Sequence, residues 1–169
     1  MTDWGRSLNV VSPDCAEEFF AGRAARVVPM RHASSLPQLW DVLVEELEAV
    51  ERPRTLDLIG HSTSGHHLLR LGRTRIDMLD RAVAGFFQDL AVAGLLPRLG
   101  ISAVRLLGCE TAVSEAGQRT LRLLSATLGL PVYGTSKPLM KSHSDAQGFH
   151  PAFSHLLVEA AASAGQMPR

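Results

Sequence analysis

The sequence predicts an α/β fold, namely a three-layer α-β-α sandwich around a mainly parallel, doubly wound sheet. Short β-branched or leucine-rich runs alternate with amphipathic helical patterns along the chain, and this alternation is typical of parallel strands joined by crossover helices. One glycine-punctuated segment interrupts the alternation after the third predicted strand and indicates a small β-hairpin insert. In such a sheet we expect functional residues to collect at the carboxyl ends of the strands.

The strands are predicted from short apolar runs that have the length of buried strands rather than of helices. With 169 residues, 46% of them hydrophobic, the chain can bury one full core, so we predict a single domain over residues 1–169. The predicted strands cover residues 7–12, 25–30, 55–60, 103–108 and 131–136.

The helices are predicted from apolar stripes at helical spacing. The clearest stripe covers residues 36–50, where Ser35 and Gln38 form a capping box and Pro37 fits the first turn. Residues 137–149 have no periodicity and are predicted to form a long surface loop. Further helices are predicted over 80–96, from shortly after Cys109 to Gly129, and over 151–164.

The charge balance argues against nucleic acid as a partner. Lys and Arg total 17, and Asp and Glu total 17, so there is no positive excess from which to build a phosphate-binding face. The N-terminal segment lacks a signal-peptide pattern, and no apolar run approaches the about 18 residues that span a bilayer. We therefore expect a cytoplasmic protein with no membrane partner, in which Cys15 and Cys109 are free thiols.

The stretch Gly60-His61-Ser62-Thr63-Ser64 permits one catalytic interpretation based on serine. It approximates the G-x-S-x-G nucleophile elbow of α/β-hydrolases, with Ser62 as the nucleophile. An elbow requires a helix directly after the turn and a glycine where Ser64 stands, whereas this chain continues with a glycine-punctuated extended run. A serine hydrolase remains an alternative, with its triad completed by Asp145 and one of two later histidines, His150 or His155.

A second interpretation pairs His61 with Cys109. His61 follows the predicted third strand, and Cys109 follows the predicted fourth strand just before a helix. Because consecutive strands are usually neighbours, the two side chains are expected above the same edge of the sheet. Helix amides near Cys109 would favour its thiolate and donate to an oxyanion. The sequence therefore predicts a Cys/His arrangement for acyl transfer.

These motifs resemble those of the caspase-like cysteine peptidases of clan CD, in particular their bacterial CHAT and separase-like branch. Gly108-Cys109-Glu110-Thr111-Ala112 is similar to the Cys-Glu-Thr motif of that family, and "DLIGHSTSG" resembles its apolar strand ending in Ser-His-Gly. "HHLLRLG" corresponds to the hairpin that often follows. The resemblance covers about residues 50–137.

The resemblance implies a cysteine endopeptidase with His61 as general base and acid and Cys109 as nucleophile. Backbone amides near Ser62 and Gly108 would support the oxyanion, with Ser62 standing where the family has glycine. Candidates for the substrate pocket are Asp57, Glu110, Ser136 and Asp145, with Arg73, Arg75, Lys137 and Lys141 as basic candidates.

The resemblance further implies a protein or peptide substrate and a regulatory partner protein, in a bacterial signalling, stress or defence pathway. It also implies a monomer or a homodimer. His66 and His67 lie near His61, but no second ligand cluster has the spacing of a zinc site. Neither a metal nor a cofactor is therefore expected. A further alternative is a catalytically weak pseudo-peptidase that binds a protein, since Ser62 replaces the glycine.

Overall fold

The chain folds around a six-stranded central sheet. The computed structural model describes residues 5–15, 30–49, 51–145 and 147–160. In chain order, the described strands are β1 (Ser7–Val11), β2 (Met30–His32), β3 (Thr55–Ile59), β4 (Arg70–Leu71), β5 (Thr74–Arg75), β6 (Ala103–Leu107), β7 (Val132–Thr135), β8 (Ser144–Asp145), β9 (Gly148–Phe149) and β10 (Leu157–Glu159).

Four α-helices are described as well. Short 3₁₀ helices cover Lys141–His143 and Pro151–Leu156. The α-helices are α1 (Leu36–Glu46), α2 (Arg81–Val92), α3 (Leu95–Leu99) and α4 (Glu115–Leu128).

The strand order of the central sheet is β10-β7-β6-β3-β1-β2, and only β10 runs antiparallel to its neighbour. The prediction of an α/β fold with a mainly parallel sheet is confirmed. The predicted insert is present as the β4–β5 hairpin, preceded by a bridge between Ser62 and Leu69. Residues 25–29 of the second predicted strand lie outside the described residues, and β2 begins at Met30.

The main hydrophobic core lies between the sheet and its helices. Alternate strand residues such as Leu8, Leu56 and Val104 point to this face, as the two-residue period of a strand requires. All four described helices contribute apolar side chains to the same cluster, for example Leu39 of α1 and Leu124 of α4. The described helices therefore cover one face of the sheet.

The opposite face combines polar and apolar residues. Val11, Ile59 and Leu107 form a second cluster with Cys15 and Phe149. Towards the amino ends of the strands this face carries buried polar side chains, and the segment that contains β9 covers it. These polar side chains are Asn9, Thr55, Asp57 and Arg105.

The helix boundaries follow from local signals. Ser35 caps α1 by accepting from the Gln38 N–H at 3.3 Å, and Gln38 in turn accepts from the Ser34 N–H at 2.7 Å. The predicted helix over 80–96 is wrong in its extent. It ends at Val92, because Gly94 has a left-handed backbone (φ 63°), and α3 starts directly afterwards.

The predicted helix over 151–164 is wrong in its described part. Pro151 begins a short 3₁₀ helix, with the His150 side chain accepting from the Ala152 N–H. Residues 157–159 then pair antiparallel with β7, so that a long-range strand pairing replaces the helix that the local pattern favoured. Residues 161–164 lie outside the described residues.

Among the described residues, the structure contains no helix with both the length and the apolar character that crossing a bilayer requires.

Candidate active site

The candidate site lies beside the point where the chain connections reverse direction across the sheet. From β1 the chain passes to β2, at one edge of the sheet. From β3, the neighbour of β1, the chain passes to β6, which lies in the opposite direction across the sheet. The carboxyl ends of β1 and β3 therefore flank a topological switch point, which is where open α/β sheets bind ligands.

His61 and Cys109 follow adjacent strands of this sheet. β3 and β6 are parallel, with Ile59 opposite Leu107, so the same register continued by two residues brings His61 beside Cys109. Both side chains are half-buried. They line one cleft of about 150 Å³, whose lining residues are Cys15, Gly60, His61, Leu107, Gly108, Cys109 and Leu139.

The backbone makes a strained turn directly after Cys109. Glu110 has φ 57°, in the left-handed region that residues other than glycine rarely adopt. Such strain persists only where the surroundings hold it, and it is concentrated at functional sites. A side chain at Gly108 would lie 2.7 Å from Ser62 Oγ and 2.9 Å from Leu69 Cδ1, so glycine permits the close approach of the two strand ends.

Two buried threonines, Thr111 and Thr135, stabilise the turn after Cys109 through hydrogen bonds. Thr111 Oγ1 donates to the Leu106 carbonyl at 2.8 Å and accepts from the Thr135 N–H at 3.0 Å. Thr135 Oγ1 donates to the Gly108 carbonyl, and the Thr135 carbonyl accepts from the Ala112 N–H at 2.9 Å. These bonds to the backbone before and after Cys109 set the position of the cysteine.

Ser62 interacts with the same turn. Its hydroxyl donates to the Cys109 carbonyl at 2.8 Å. The next described element after Ser62 is the bridge to Leu69 rather than a helix. The helix that a nucleophile elbow requires is therefore not found at this position.

The backbone amides of Ser62 and Cys109 are available as donors. In the part of the chain that the structure describes, neither N–H donates to a protein acceptor. At the Ser62–Leu69 bridge, the two bonds run from Thr63 N to Leu68 O and from Arg70 N to His61 O, which leaves the Ser62 N–H unused.

The loops after β1 and β3 are tied together beside the cleft. The Ser12 N–H donates to the Ile59 carbonyl at 2.8 Å, and Ser12 Oγ accepts from the Gly72 N–H at 2.8 Å. Ser12 Oγ also donates to Asp14, whose carboxylate lies 3.7 Å from Arg70 Nη2. These contacts join the β4–β5 hairpin to the end of β1.

The predicted helix from shortly after Cys109 to Gly129 is present as α4, which starts a short turn after the cysteine. α4 begins at Glu115, with Ser114 as its cap, so five residues separate the cysteine from the helix. The Ser114 hydroxyl donates to the His66 carbonyl and thereby links the helix cap to the loop after β3. The intervening turn allows Thr111 and Ala112 to bond β7 before the helix starts.

Asp57 is not a lining residue of the cleft, contrary to prediction. It is fully buried within β3, and its carboxylate accepts from Arg105 Nε at 2.7 Å and from Arg105 Nη2. Arg105 stands opposite it on β6, donates to Ser7 Oγ at 3.0 Å and lies 5.5 Å from the Phe149 ring centre. The charge is therefore satisfied inside the fold, because an unpaired buried carboxylate is strongly disfavoured.

The other predicted pocket residues are distributed around the cleft without lining it. Glu110 follows the nucleophile candidate, and its N–H donates to the Lys137 carbonyl at 3.3 Å. Ser136 donates through Oγ to the Leu156 carbonyl at 3.2 Å. Asp145 lies in β8, 3.7 Å from His150 Nε2. The predicted loop over 137–149 instead contributes Leu139 to the cleft and contains the β8–β9 hairpin.

Three histidines surround Phe153 beside this hairpin. The Phe153 ring centre lies 4.6 Å from that of His143, 6.0 Å from that of His150 and 6.3 Å from that of His155. Phe153 itself packs against the cluster that contains Cys15 and Leu107. Burial lowers the pKa of His143, and the neighbouring His155 lowers it further.

The lowered pKa of His143 predicts a pH-dependent stability. The folded protein favours neutral His143, so this stabilisation is present above the ordinary histidine pKa of about 6.5 and is lost as the pH falls through the lower folded value. We expect His143→Asn to reduce the loss of thermal stability between about pH 7.5 and pH 5. Thermal unfolding followed by circular dichroism measures this. An unchanged pH dependence in His143→Asn, or an equal change in the exposed-histidine control His32→Asn, would contradict it.

Sequence reasoning missed the groups that hold the site together. Thr111 lies in the Cys-Glu-Thr motif and Thr135 in a predicted strand, yet only the fold shows that their hydroxyls bond each other's backbone. The signal was a pair of threonines close to buried strand ends, one four residues after β6 and one at the end of β7, where a side-chain hydroxyl often satisfies backbone groups. Among the described residues, no group of three or more His, Cys, Asp or Glu side chains is arranged to hold a metal ion.

A scan of protein-family models finds none that matches this chain, and a search of curated proteins finds no significant match.

Proposed function

We propose that the chain is a caspase-like, CHAT-type cysteine endopeptidase that uses a His61/Cys109 dyad. One observation carries the proposal. His61 and Cys109 follow adjacent parallel strands in equivalent register and line one cleft beside the switch point of the sheet. A histidine and a thiol in one cleft are the groups that thiol acyl transfer requires.

The proposed reaction proceeds through a thioester. His61 accepts the proton of the Cys109 thiol, and the sulfur attacks the carbonyl carbon of the scissile peptide bond. The carbon–nitrogen bond then breaks while His61 returns the proton to the leaving amine. Water, deprotonated by His61, hydrolyses the thioester and releases the acid product and the free thiol.

The proposed oxyanion donors are the backbone amides of Ser62 and Cys109. Support comes from the lack of a protein acceptor for either N–H within the described residues. Ser62 replaces the glycine of the resembled family, and its hydroxyl bonds the Cys109 carbonyl. This substitution therefore adds a bond that orients the nucleophile turn, while the amide stays available.

A protein or peptide substrate suits the cleft better than a free small molecule. The volume of the cleft, about 150 Å³, is below the roughly 300–1,000 Å³ of typical small-molecule pockets. Such a cleft accommodates one peptide group or side chain, with the rest of an extended segment lying across the strand ends.

The test begins with the reactivity of the thiol. We expect iodoacetamide to alkylate Cys109 in the folded protein at least about tenfold faster than in His61→Gln, because the histidine favours the thiolate. Mass spectrometry of time-quenched samples gives the rate at each cysteine. Cys15, which is 4% exposed, serves as an internal reference, and the exposed His66→Gln is the matched control.

Cleavage of a peptide library is then compared between the native chain and Cys109→Ala. Hydrolysis that disappears in Cys109→Ala supports the peptidase. A reactive Cys109 without any hydrolysis would favour the binding pseudo-peptidase instead. Labelling of Ser62 by a fluorophosphonate would overturn the dyad in favour of a serine hydrolase.

A further inference from the structure

A surface groove separates α1 from α2 on the helix-covered side of the molecule. Its volume is about 340 Å³. Each helix contributes one aromatic and one acidic side chain, so the groove has an aromatic floor and a negatively charged rim. The described lining residues are Pro37, Trp40, Asp41, Phe86 and Asp89.

The two aromatic rings form a corner that is only partly covered. Trp40 and Phe86 have ring centres 6.2 Å apart and planes inclined at 76°. Both pack against the hydrophobic core on one side, yet both remain half-buried rather than fully enclosed. Val44, one helical turn after Trp40, is also 42% exposed. The core thus fixes the rings without covering their outer surface.

The acidic side chains at the rim are not engaged within the described part of the chain. Asp41 directly follows Trp40, and Asp89 lies one turn after Phe86 on α2. Both are exposed, and neither carboxylate forms an ion pair or hydrogen bond with another described residue. The described lining residues include no base, so the charge of the groove is complementary to a cation.

Gly85 leaves open space on α2 next to Phe86. It lies inside α2, next to Phe86 and one turn before Asp89. Glycine inside a helix is unfavourable, and a Cβ at this position would meet nothing within 4 Å. Nothing described within the chain therefore requires glycine here, and a larger side chain at this position would project from α2 on the same side as Asp89, four residues later.

We propose that this groove binds an arginine side chain of a partner protein. A guanidinium group stacks on aromatic rings through cation–π interaction and forms charge-assisted hydrogen bonds with carboxylates. Trp40 and Phe86 supply the rings, and Asp41 and Asp89 supply the carboxylates. The planar, five-donor guanidinium uses both features together, which the compact lysine ammonium does not.

The probe is an acetylated, amidated pentapeptide, Gly-Leu-Arg-Leu-Gly, titrated into the full ¹⁵N-labelled chain. We expect saturable shifts of the Trp40 indole and of the α2 amides around Gly85. A peptide with citrulline in place of arginine has the same shape without the charge, and we expect it to bind at least about tenfold more weakly. Equal binding of the citrulline peptide, or shifts that avoid both helices, would overturn the proposal.

The decisive variant is Gly85→Gln. Glutamine is a better helix former than glycine and its side chain enters open space, so we expect the melting temperature to rise by about 2 °C. The glutamine side chain projects from α2 on the side of Asp89, so we expect it to hinder the approach of the arginine and to weaken peptide binding at least about tenfold. Weaker binding in a more stable protein cannot result from unfolding. Undiminished binding by Gly85→Gln would overturn the proposal.

The contribution of the rim charge is tested with Asp89→Asn. We expect about threefold to tenfold weaker peptide binding, while the matched control Glu48→Gln, which removes an exposed charge near the end of α1, leaves binding unchanged. If Asp89→Asn and Glu48→Gln weaken peptide binding equally, only the long-range charge of the protein affects binding. That result would contradict the proposed groove. Cys109→Ala is expected to bind the peptide normally, so this result is independent of any peptidase activity.

Discussion

Arg105→Met is expected to lower the free energy of unfolding by about 3–5 kcal/mol. Arg105 is 1% exposed and Asp57 is fully buried, and the two side chains bond each other across neighbouring central strands. Removing the guanidinium leaves a carboxylate without its partner in the sheet, where water does not reach it. The loss is a large fraction of the roughly 5–15 kcal/mol that stabilises a typical domain. Urea unfolding of the two proteins measures it.

The control is the double variant Asp57→Leu/Arg105→Met, which removes both charges. Replacing a whole buried pair by apolar residues is often neutral or stabilising, so the double variant should be more stable than Arg105→Met alone. If the single and double variants lose equal stability, the cost arises from packing against Phe149 and Ser7 rather than from the unpaired carboxylate.

Gly60→Ala is expected to lower the free energy of unfolding by about 3 kcal/mol. A Cβ at Gly60 would clash with the Arg70 carbonyl oxygen, which is backbone and cannot rotate away. The adjacent bond from the Arg70 N–H to the His61 carbonyl is 2.9 Å long, so the hairpin and the end of β3 cannot separate without breaking it. Because Gly60 and His61 both line the cleft, we also expect slower alkylation of Cys109.

Gly85→Ala is the matched glycine control, since a Cβ at that position meets nothing within 4 Å. We expect it to be slightly more stable than the native chain. Thermal and urea unfolding of both variants measure the contrast. A Gly60→Ala protein with unchanged stability would show that the hairpin moves freely relative to β3.

The regular elements were predictable because their determinants are local. α1 and α4 are encoded by apolar stripes and by capping residues at Ser35 and Gly129. The strands β1, β3, β6 and β7 are short buried runs whose length and flanking turns identify them. The C-terminal strand was not predictable, because residues 157–159 adopt an extended conformation through their pairing with β7.

The two candidate reacting residues were predictable from the sequence, whereas the groups that position them were not. His61 and Cys109 follow recognisable strands, and consecutive strands usually pair, so their proximity follows from general rules of sheet topology. The roles of Ser62 and Thr135 were not predictable, since each hydroxyl bonds a carbonyl that is distant in sequence, those of Cys109 and Gly108. Asp57 was misplaced because an acidic residue within an apolar strand gives no sign that Arg105 of the neighbouring strand neutralises it.

The sequence by itself determined the α/β class, the strands and helices with strong periodicity, and the choice of His61 and Cys109 as candidate reacting groups. Only the tertiary structure decided the partner of Asp57, the support of the Cys109 turn, the packing of Phe149 on the sheet and the open groove between α1 and α2. The physical reason is the range of the interactions. Periodicity and capping act over a few residues, whereas burial, ion pairing and hydroxyl bonding depend on which distant segments the packed sheet brings together.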